Sequence, residues 1–214
     1  MSNAIRIHDT GGPEVLSWEA VEVGDPGPDE VRIRHSAVGL NYIDTYHRGG
    51  LYPLELPSGI GLEAAGVIEA VGSEVEDLMV GNRVAYASGP LGAYAESRLM
   101  PAARVVRLPD GVDERTAAAA MLKGLTAWYL LRRTYRVKAG ETILFHAVAG
   151  GVGLIACQWA KRLGATVIGT AGSEAKAELA LAHGSDHVID YRREDVAARV
   201  RELTDGVGVP VVYD

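Results

Sequence analysis

The sequence predicts two domains: a β-rich domain over residues 1–120 and the first part of a doubly wound α/β parallel sheet over residues 121–214. Short β-type segments separated by Gly and Pro turns fill the first half. An Ala- and Leu-rich helical pattern begins near Arg115. Beyond it, strand and helix patterns alternate, which indicates parallel strands joined by right-handed crossovers.

Five strands are predicted in the first half, and turn signals separate them. The strands lie at 4–8, 15–23, 30–38, 66–71 and 83–87, and Gly- or Pro-containing turns lie at 11–13, 25–28, 49–50 and 89–90. This pattern favours an all-β, barrel-like unit.

The second half begins with a helix over 117–131 that only Gly124 interrupts. Strands are then predicted at 142–147, 166–170, 187–189 and 209–213, and helices at 152–163, 174–182 and 195–203. A doubly wound dinucleotide fold continues beyond four strands. We therefore expect a sheet truncated after its fourth strand and a chain that is a fragment of a longer protein. The alternative is a short relative that a partner stabilises.

Composition excludes several kinds of protein. No apolar run reaches the length of a membrane span, and the first twelve residues lack a signal-peptide pattern, so we expect a cytoplasmic protein with no membrane partner. A single cysteine, Cys157, excludes an internal disulfide framework and a cysteine-rich zinc lobe.

Nucleic-acid binding is not expected, because a net charge of -7 repels phosphate backbones. One basic cluster could oppose this, and it comprises Arg132, Arg133, Arg136 and Lys138. Because this cluster lies near a predicted helix end, we interpret its cations as complementing the helix dipole.

A glycine-rich segment follows the strand at 142–147. Within it, Gly151, Gly153 and Ala156 satisfy G-x-G-x-x-G/A, and an apolar helix follows. This context is typical of a Rossmann dinucleotide-binding turn, in which glycines let the backbone approach a pyrophosphate at a helix N-terminus. We therefore predict that the cofactor-binding residues of this segment are Gly150, Gly151, Val152 and Gly153.

The end of the next strand indicates which dinucleotide is bound. NAD-preferring sites usually have an acidic residue there, whereas this chain has Gly-Thr-Ala-Gly-Ser at 169–173. We predict NADPH, with the 2'-phosphate region formed by Thr170, Ser173, Lys176 and Tyr191, and with Arg192 nearby. Alternatively, Ser173 caps the next helix, Lys176 is a solvated charge, and Glu174 turns toward a ribose.

Four segments together are similar to one family. The segments at 11–16, 38–44 and 123–126 and the glycine-rich segment resemble the zinc-independent quinone oxidoreductases of the medium-chain dehydrogenase/reductase superfamily, relatives of zeta-crystallin. The resemblance implies a GroES-like catalytic domain, a Rossmann domain, and a homodimer in the full-length protein. It also implies NADPH-dependent reduction of a quinone or another conjugated carbonyl.

The resemblance implies an acceptor pocket as well. Asn41, Asp44, Tyr46 and Tyr52 would line it beside the nicotinamide, with Thr126 and Tyr129 at its other wall. We expect Asn41 to hydrogen-bond cofactor and acceptor, and both tyrosines to contact a planar quinone. Aromatic packing on a loop is the alternative for the tyrosines. The sequence demands no dedicated acid, so water can donate the proton.

No catalytic zinc is expected. Zinc dehydrogenases of the superfamily have a cysteine where Asn41 stands and a histidine where Leu62 stands, and neither replacement is an adequate ligand. Glu63 is interpreted as structural. Without a Lewis acid, hydride must go to an acceptor that is already electrophilic. We interpret the remaining candidates, His47, His146 and Cys157, as packing residues.

Two further functions remain open. One is an NADPH-dependent reductase of enones, alkenals or enoyl thioesters. The other is a low-turnover NADPH-binding or RNA-binding protein, of which the RNA-binding form conflicts with the acidic charge.

Overall fold

A computed structural model describes all residues of the chain, 1–214. It divides into two compact units, Met1–Leu122 and Lys123–Asp214. Each unit has its own hydrophobic core. Helix α2 (Glu114–Tyr129) contains the boundary between the units.

The first unit consists mainly of antiparallel strands. They are β1 (Ser2–Ile7), β2 (Ser17–Val21), β3 (Glu30–Gly39), β4 (Ser58–Gly59), β5 (Glu63–Val71), β6 (Arg83–Tyr86), β7 (Ser97–Pro101) and β8 (Val106–Arg107), and helix α1 (Tyr42–Arg48) follows β3. They form a three-stranded sheet in the order β2-β1-β4 and a five-stranded sheet in the order β7-β3-β5-β6-β8.

Strand β6 of the five-stranded sheet is buried on both faces. Val84 and Tyr86 contribute to one core cluster, while Ala85 between them contributes to a second cluster with Ala117 and Ala118 of α2. Successive side chains of a strand point to opposite faces, so β6 supplies both clusters at once. The Ala85 face of β6 therefore packs against the start of α2.

Several elements of the first unit differ from the prediction. Helix α1 occupies a segment for which no helix or strand was predicted, and β4, β7 and β8 were not predicted either. The α1 sequence, YIDTYHR, consists mostly of weak helix formers, so tertiary contacts must stabilise it. The strand predicted at 15–23 begins only at Ser17, because Pro13–Val15 form a 3-10 turn.

The second unit is a parallel sheet with helices between its strands. Its elements are β9 (Thr142–Phe145), α3 (Gly151–Arg162), β10 (Thr166–Ala171), α4 (Glu174–Ala182), β11 (His187–Asp190), α5 (Val196–Leu203) and β12 (Val212–Tyr213). The strand order β11-β10-β9-β12 is that of a doubly wound fold, as predicted. The predicted strand at 209–213 is shortened, because Pro210 has no N–H to donate to a neighbouring strand.

Helix α2 ends differently from the prediction. It stops at Tyr129, and Leu130–Thr134 form a π-helical turn. Arg132 and Arg133 lie in the last turn, and the Arg133 guanidinium lies 5.7 Å from the centroid of the Trp128 ring. These contacts support the interpretation that the basic cluster complements the dipole at the end of this helix. None of the helices is long and apolar enough to cross a membrane.

A half-buried histidine makes the stability of the first unit depend on pH. The His35 Nδ1–H donates to the Ala95 carbonyl over 2.7 Å, and Nε2 accepts from the Tyr86 hydroxyl over 3.1 Å. Burial disfavours the imidazolium and lowers the pKa of His35 from 6.5 to about 4. The neutral ring therefore belongs to the folded state.

Acidification should accordingly destabilise the protein. The unfolded chain binds a proton at His35 below pH 6.5, whereas the folded chain resists it until about pH 4. We expect about 3 kcal/mol of unfolding free energy to be present above pH 6.5 and lost as the pH falls toward 4. Urea unfolding of wild type and His35→Gln across this range measures it. Equal pH dependence in the two proteins would contradict the assignment to His35.

Candidate functional site

The glycine-rich turn connects β9 to α3. After β9 the chain bends at Ala147, which has φ 48°, and Gly150 precedes the first residue of α3, Gly151. No side chain caps this helix. Since the first N–H groups of a helix have no intrahelical acceptor, this end of α3 presents hydrogen-bond donors and a positive dipole end to an anion.

The small residues of the motif serve different purposes. A Cβ on Gly153 would lie 2.7 Å from both the Cα and the carbonyl carbon of Val148, and closer still to its carbonyl oxygen. The atoms nearest to a Cβ on Gly151 would belong to the flexible Lys123 side chain, with Cδ at 2.7 Å. Ala156 is buried in the core. Gly153 is thus the position where the fold itself excludes a side chain.

A cavity of about 360 Å³ lies beside this turn, within the second unit. Its lining comprises His146, Ala147, Ala149, Gly150, Thr170, Ala171, Gly172, Lys176, Tyr191 and Asp214. Tyr191 is 53% exposed, and its ring lies so close to Gly172 that a Cβ there would be 2.7 Å from Tyr191 Cζ. The cavity therefore offers a glycine backbone, an aromatic ring and one ammonium group to a ligand.

Four predicted cofactor residues, Gly150, Thr170, Lys176 and Tyr191, line this cavity. The Thr170 side chain is buried, and Oγ1 lies 3.0 Å from His146 Nδ1, which makes His146 a hydrogen-bonded packing residue at the cavity wall. Lys176 is exposed. A ligand phosphate could therefore reach Lys176 more readily than it could reach the hydroxyl of Thr170.

Other predicted cofactor residues lie outside the lining. Gly151, Val152 and Gly153 form the first turn of α3. Ser173 precedes α4, but its side chain makes no capping hydrogen bond, which removes the alternative that it caps the helix through Oγ. Glu174 is exposed and not part of the lining. On α2, Thr126 is half-buried and Tyr129 is 46% exposed.

A buried polar network lies at the start of α1 in the first unit. The Asn41 Nδ2 group donates to Glu63 Oε2 over 2.8 Å, and the Leu122 backbone N–H donates to Glu63 Oε1 over 2.6 Å. Glu63 is fully buried at 0% exposure. Gly39 makes room for it, since a Cβ there would lie 2.6 Å from Glu63 Cδ. Glu63 therefore orients the Asn41 amide.

The Asp44 carboxylate is the second buried acid of this network. Its Oδ2 accepts hydrogen bonds from the Asn41 backbone N–H over 2.9 Å and from the Tyr94 hydroxyl over 2.6 Å. Burial and the hydrogen bond to Asp44 raise the pKa of Tyr94, so Tyr94 remains a donor. Tyr94 was not among the predicted site residues, because no sequence signal links positions that are 50 residues apart.

Aromatic rings extend from this network along α1. Tyr46 lies edge-on to Tyr42 with centroids 5.3 Å apart and edge-on to Tyr52 with centroids 5.4 Å apart. Tyr42, which was not predicted, is 74% exposed, and Tyr52 is 46% exposed. His47 packs on Tyr52 at 5.8 Å, although its buried Nδ1 has no partner. Tyr46 thus lies on a helix, whereas the packing alternative placed it on a loop.

Two other features could supply a reactive site: a reactive cysteine thiol and a group of metal-ligand side chains. Cys157 is buried, as predicted, and its Sγ accepts a hydrogen bond from Ser185 over 3.5 Å. Burial raises the pKa of its thiol to about 11, which suppresses the thiolate. No group of three or more His, Cys, Asp or Glu side chains is arranged to hold a metal ion.

Comparison with known proteins assigns both units. Residues 27–110 match the alcohol dehydrogenase GroES-like domain family, and residues 151–214 match the zinc-binding dehydrogenase family. A quinone oxidoreductase of Pseudomonas aeruginosa is 60% identical over 215 residues, and a 2-haloacrylate reductase of a Burkholderia species is 50% identical over 220 residues. Each match covers 100% of this chain and 66% of the relative.

A solved structure extends the similarity to three dimensions. The Escherichia coli quinone oxidoreductase complexed with NADPH superposes with a TM-score of 0.98 and 51% identity, over 99% of this chain and 65% of that one. The chain therefore spans about two thirds of the length of these relatives.

Proposed function

Because the chain belongs to the quinone oxidoreductases of the medium-chain dehydrogenase/reductase superfamily, we propose that it binds NADPH and serves metal-independent hydride transfer to a quinone. This membership confirms the resemblance and the predicted combination of a GroES-like with a Rossmann-type unit. The observation that supports NADPH most directly is the cavity beside the glycine turn, which contains Lys176 and Tyr191.

The turn and the cavity fit an adenosine dinucleotide phosphate. The uncapped N-terminus of α3 suits a pyrophosphate, since N–H groups and the dipole both favour negative charge. The end of β10 has no carboxylate at 169–173 to repel a 2'-phosphate, and Lys176 supplies a cation for it. The exposed Tyr191 ring can stack on an adenine. Ser173, with a hydroxyl not used for capping, stays a proposed phosphate contact.

The network of the first unit fits a planar acceptor with polar edges. NADPH would supply the hydride. Asn41, held by Glu63, would hydrogen-bond the reacting groups, and Tyr46 and Tyr52 would contact the ring of the acceptor. Thr126 and Tyr129 stay proposed members of the opposite wall. These residues would orient the acceptor but would not polarise it as a metal ion does. The acceptor must therefore already be electrophilic, as a quinone is.

A second acceptor class is favoured by one comparison. The Burkholderia relative is a 2-haloacrylate reductase, which acts on a conjugated acid. Such a substrate shares with quinones and enones an electron-poor double bond, so the same cofactor site would serve it. A panel of simple quinones, enones and haloacrylates, each with NADPH, separates the two classes by their kcat/KM values.

The experiment that tests the cofactor assignment compares NADPH with NADH. We expect NADPH-selective turnover of a simple quinone. Lys176→Ala should weaken NADPH binding about tenfold, because one charge-assisted hydrogen bond to the 2'-phosphate is lost. Its NADH binding should be nearly unchanged. Nicotinamide fluorescence titration measures both dissociation constants. The matched control is Arg162→Ala, which removes an exposed cation of the same unit outside the cavity. Tighter binding of NADH than of NADPH would overturn the assignment.

The homodimeric state of the full-length protein and its cytoplasmic location also stay proposals. The family resemblance supports the first, and the composition supports the second. Light scattering on the purified protein and fractionation of cells would measure them.

A further inference from the structure

Asp44 has one carboxylate oxygen that lacks a partner. The residue is 4% exposed, and its Oδ1 is buried without a hydrogen bond, while Oδ2 accepts two. Buried polar atoms are almost always hydrogen-bonded, and a carboxylate oxygen can only accept. The unused oxygen therefore indicates a donor that arrives with a ligand.

Tyr94 determines where this oxygen points. Its hydroxyl and the Asn41 backbone N–H both hold Oδ2, at 2.6 Å and 2.9 Å, which fixes the carboxylate plane. Two donors on one oxygen leave the other one free in a defined direction. Asp44 lies in the first turn of α1, so this contact also fixes the start of the helix that holds Tyr46.

Tyr94 itself is anchored away from α1. Its backbone N–H donates to the Ile60 carbonyl over 3.0 Å, and its carbonyl accepts from the Ile5 backbone N–H over 2.7 Å. Its ring packs on Gly61, which has φ 94° and where a Cβ would lie 2.7 Å from Tyr94 Cε1. The hydroxyl is thus held by the sheet and not by the helix that it orients.

We propose that Tyr94 is a positioning residue for ligand binding. It holds the Asp44 carboxylate so that Oδ1 accepts a hydrogen bond from an O–H or N–H group of the bound ligand. The inference rests on the proposed function for the identity of that ligand. The donor belongs either to the cofactor, as a ribose hydroxyl or carboxamide N–H, or to the reduced acceptor, as a hydroquinone hydroxyl.

The test uses three variants of the protein. Tyr94→Phe removes the hydroxyl and keeps the ring on Gly61, and Asp44→Asn keeps the shape and removes the charge. Tyr86→Phe is the matched control, because it removes a buried tyrosine hydroxyl of the same unit that binds His35 instead. Fluorescence titration with NADPH, fluorescence titration with a simple hydroquinone and thermal melting are measured for each.

We expect Tyr94→Phe and Asp44→Asn each to weaken one ligand about tenfold, equivalent to about 1.4 kcal/mol, and Tyr86→Phe to remain within about twofold of wild type. The double variant Tyr94→Phe/Asp44→Asn should bind the affected ligand as tightly as Asp44→Asn alone, because both substitutions act through one contact. Weaker NADPH binding identifies the cofactor as the donor, and weaker hydroquinone binding with unchanged NADPH binding identifies the reduced acceptor as the donor.

Several results would overturn the proposal. One such result is unchanged binding of both ligands in Tyr94→Phe. Another is a further tenfold loss of affinity when Tyr94→Phe is added to Asp44→Asn. If Tyr94→Phe does not fold, unchanged binding by Asp44→Asn decides against it. A wild-type protein that binds NADPH but does not turn over quinones contradicts only the proposed function, since the two binding measurements do not need turnover.

Discussion

Replacing Gly153 with alanine should destabilise the protein by about 3 kcal/mol and weaken NADPH binding on the order of a hundredfold. The added Cβ would meet the backbone of Val148, 2.7 Å from its Cα. Backbone atoms cannot rotate away as a side chain does, so α3 must shift relative to the turn. That shift displaces the N–H groups proposed to bind the pyrophosphate.

Two other glycines provide controls for this effect. Gly124 lies in α2 with nothing within 4 Å of an added Cβ, so Gly124→Ala should stabilise the protein by about 0.5–1 kcal/mol. In Gly151→Ala the nearest atoms to the added Cβ are those of the flexible Lys123 side chain, so this variant should have an intermediate effect. Urea unfolding and fluorescence titration with NADPH measure all three. Wild-type stability and affinity in Gly153→Ala would show that the steric interpretation is wrong.

Replacing Glu63 with alanine should destabilise the protein by about 3–5 kcal/mol and lower quinone turnover on the order of a hundredfold. Glu63 is fully buried and accepts hydrogen bonds from the Asn41 amide and the Leu122 backbone N–H. Alanine would leave both donors buried without these partners and would leave a cavity behind. The Asn41 amide would also lose the contact that orients it.

Graded variants separate stability from catalysis. Glu63→Gln keeps the shape and one acceptor oxygen, so it should unfold less readily than Glu63→Ala. Asn41→Ala should lower quinone turnover with a smaller loss of stability, and unchanged turnover would remove Asn41 from the proposed site. Glu76→Ala, at an exposed glutamate of the same unit, should stay within about 0.5 kcal/mol of wild type. A Glu63→Ala protein with wild-type stability would refute the conclusion that the buried Glu63 carboxylate stabilises this unit.

The second unit was predicted well, and its physics explains why. Its strand and helix patterns, glycine turn and helix packing arise within short stretches, such as the 142–163 segment that contains β9, the turn and α3. Right-handed crossovers between consecutive strands then lead to the observed strand order. The cavity residues Gly150, Lys176 and Tyr191 follow from this topology, because the ends of neighbouring parallel strands meet at one edge.

The first unit depends on contacts that sequence patterns do not encode. Strand β7 pairs with β3 although its sequence, SRLMP, alternates poorly and ends in proline. Helix α1 forms from weak helix formers because Tyr94 and Asn41 hold Asp44 in its first turn. Each pairing joins residues far apart in the chain, so it depends on the assembled sheets.

The sequence by itself therefore determined the family, through the four segments that resemble it. It also determined the parallel sheet and the dinucleotide turn, which follow from local periodicity and from the sterics of glycine. Only the tertiary structure decided that α1 is a helix, that Glu63 orients Asn41, and that Tyr94 holds Asp44. The physical reason is distance along the chain: the Tyr94 hydroxyl and the Asp44 carboxylate are 50 residues apart in sequence and 2.6 Å apart in space, and only packing of the complete unit brings them together.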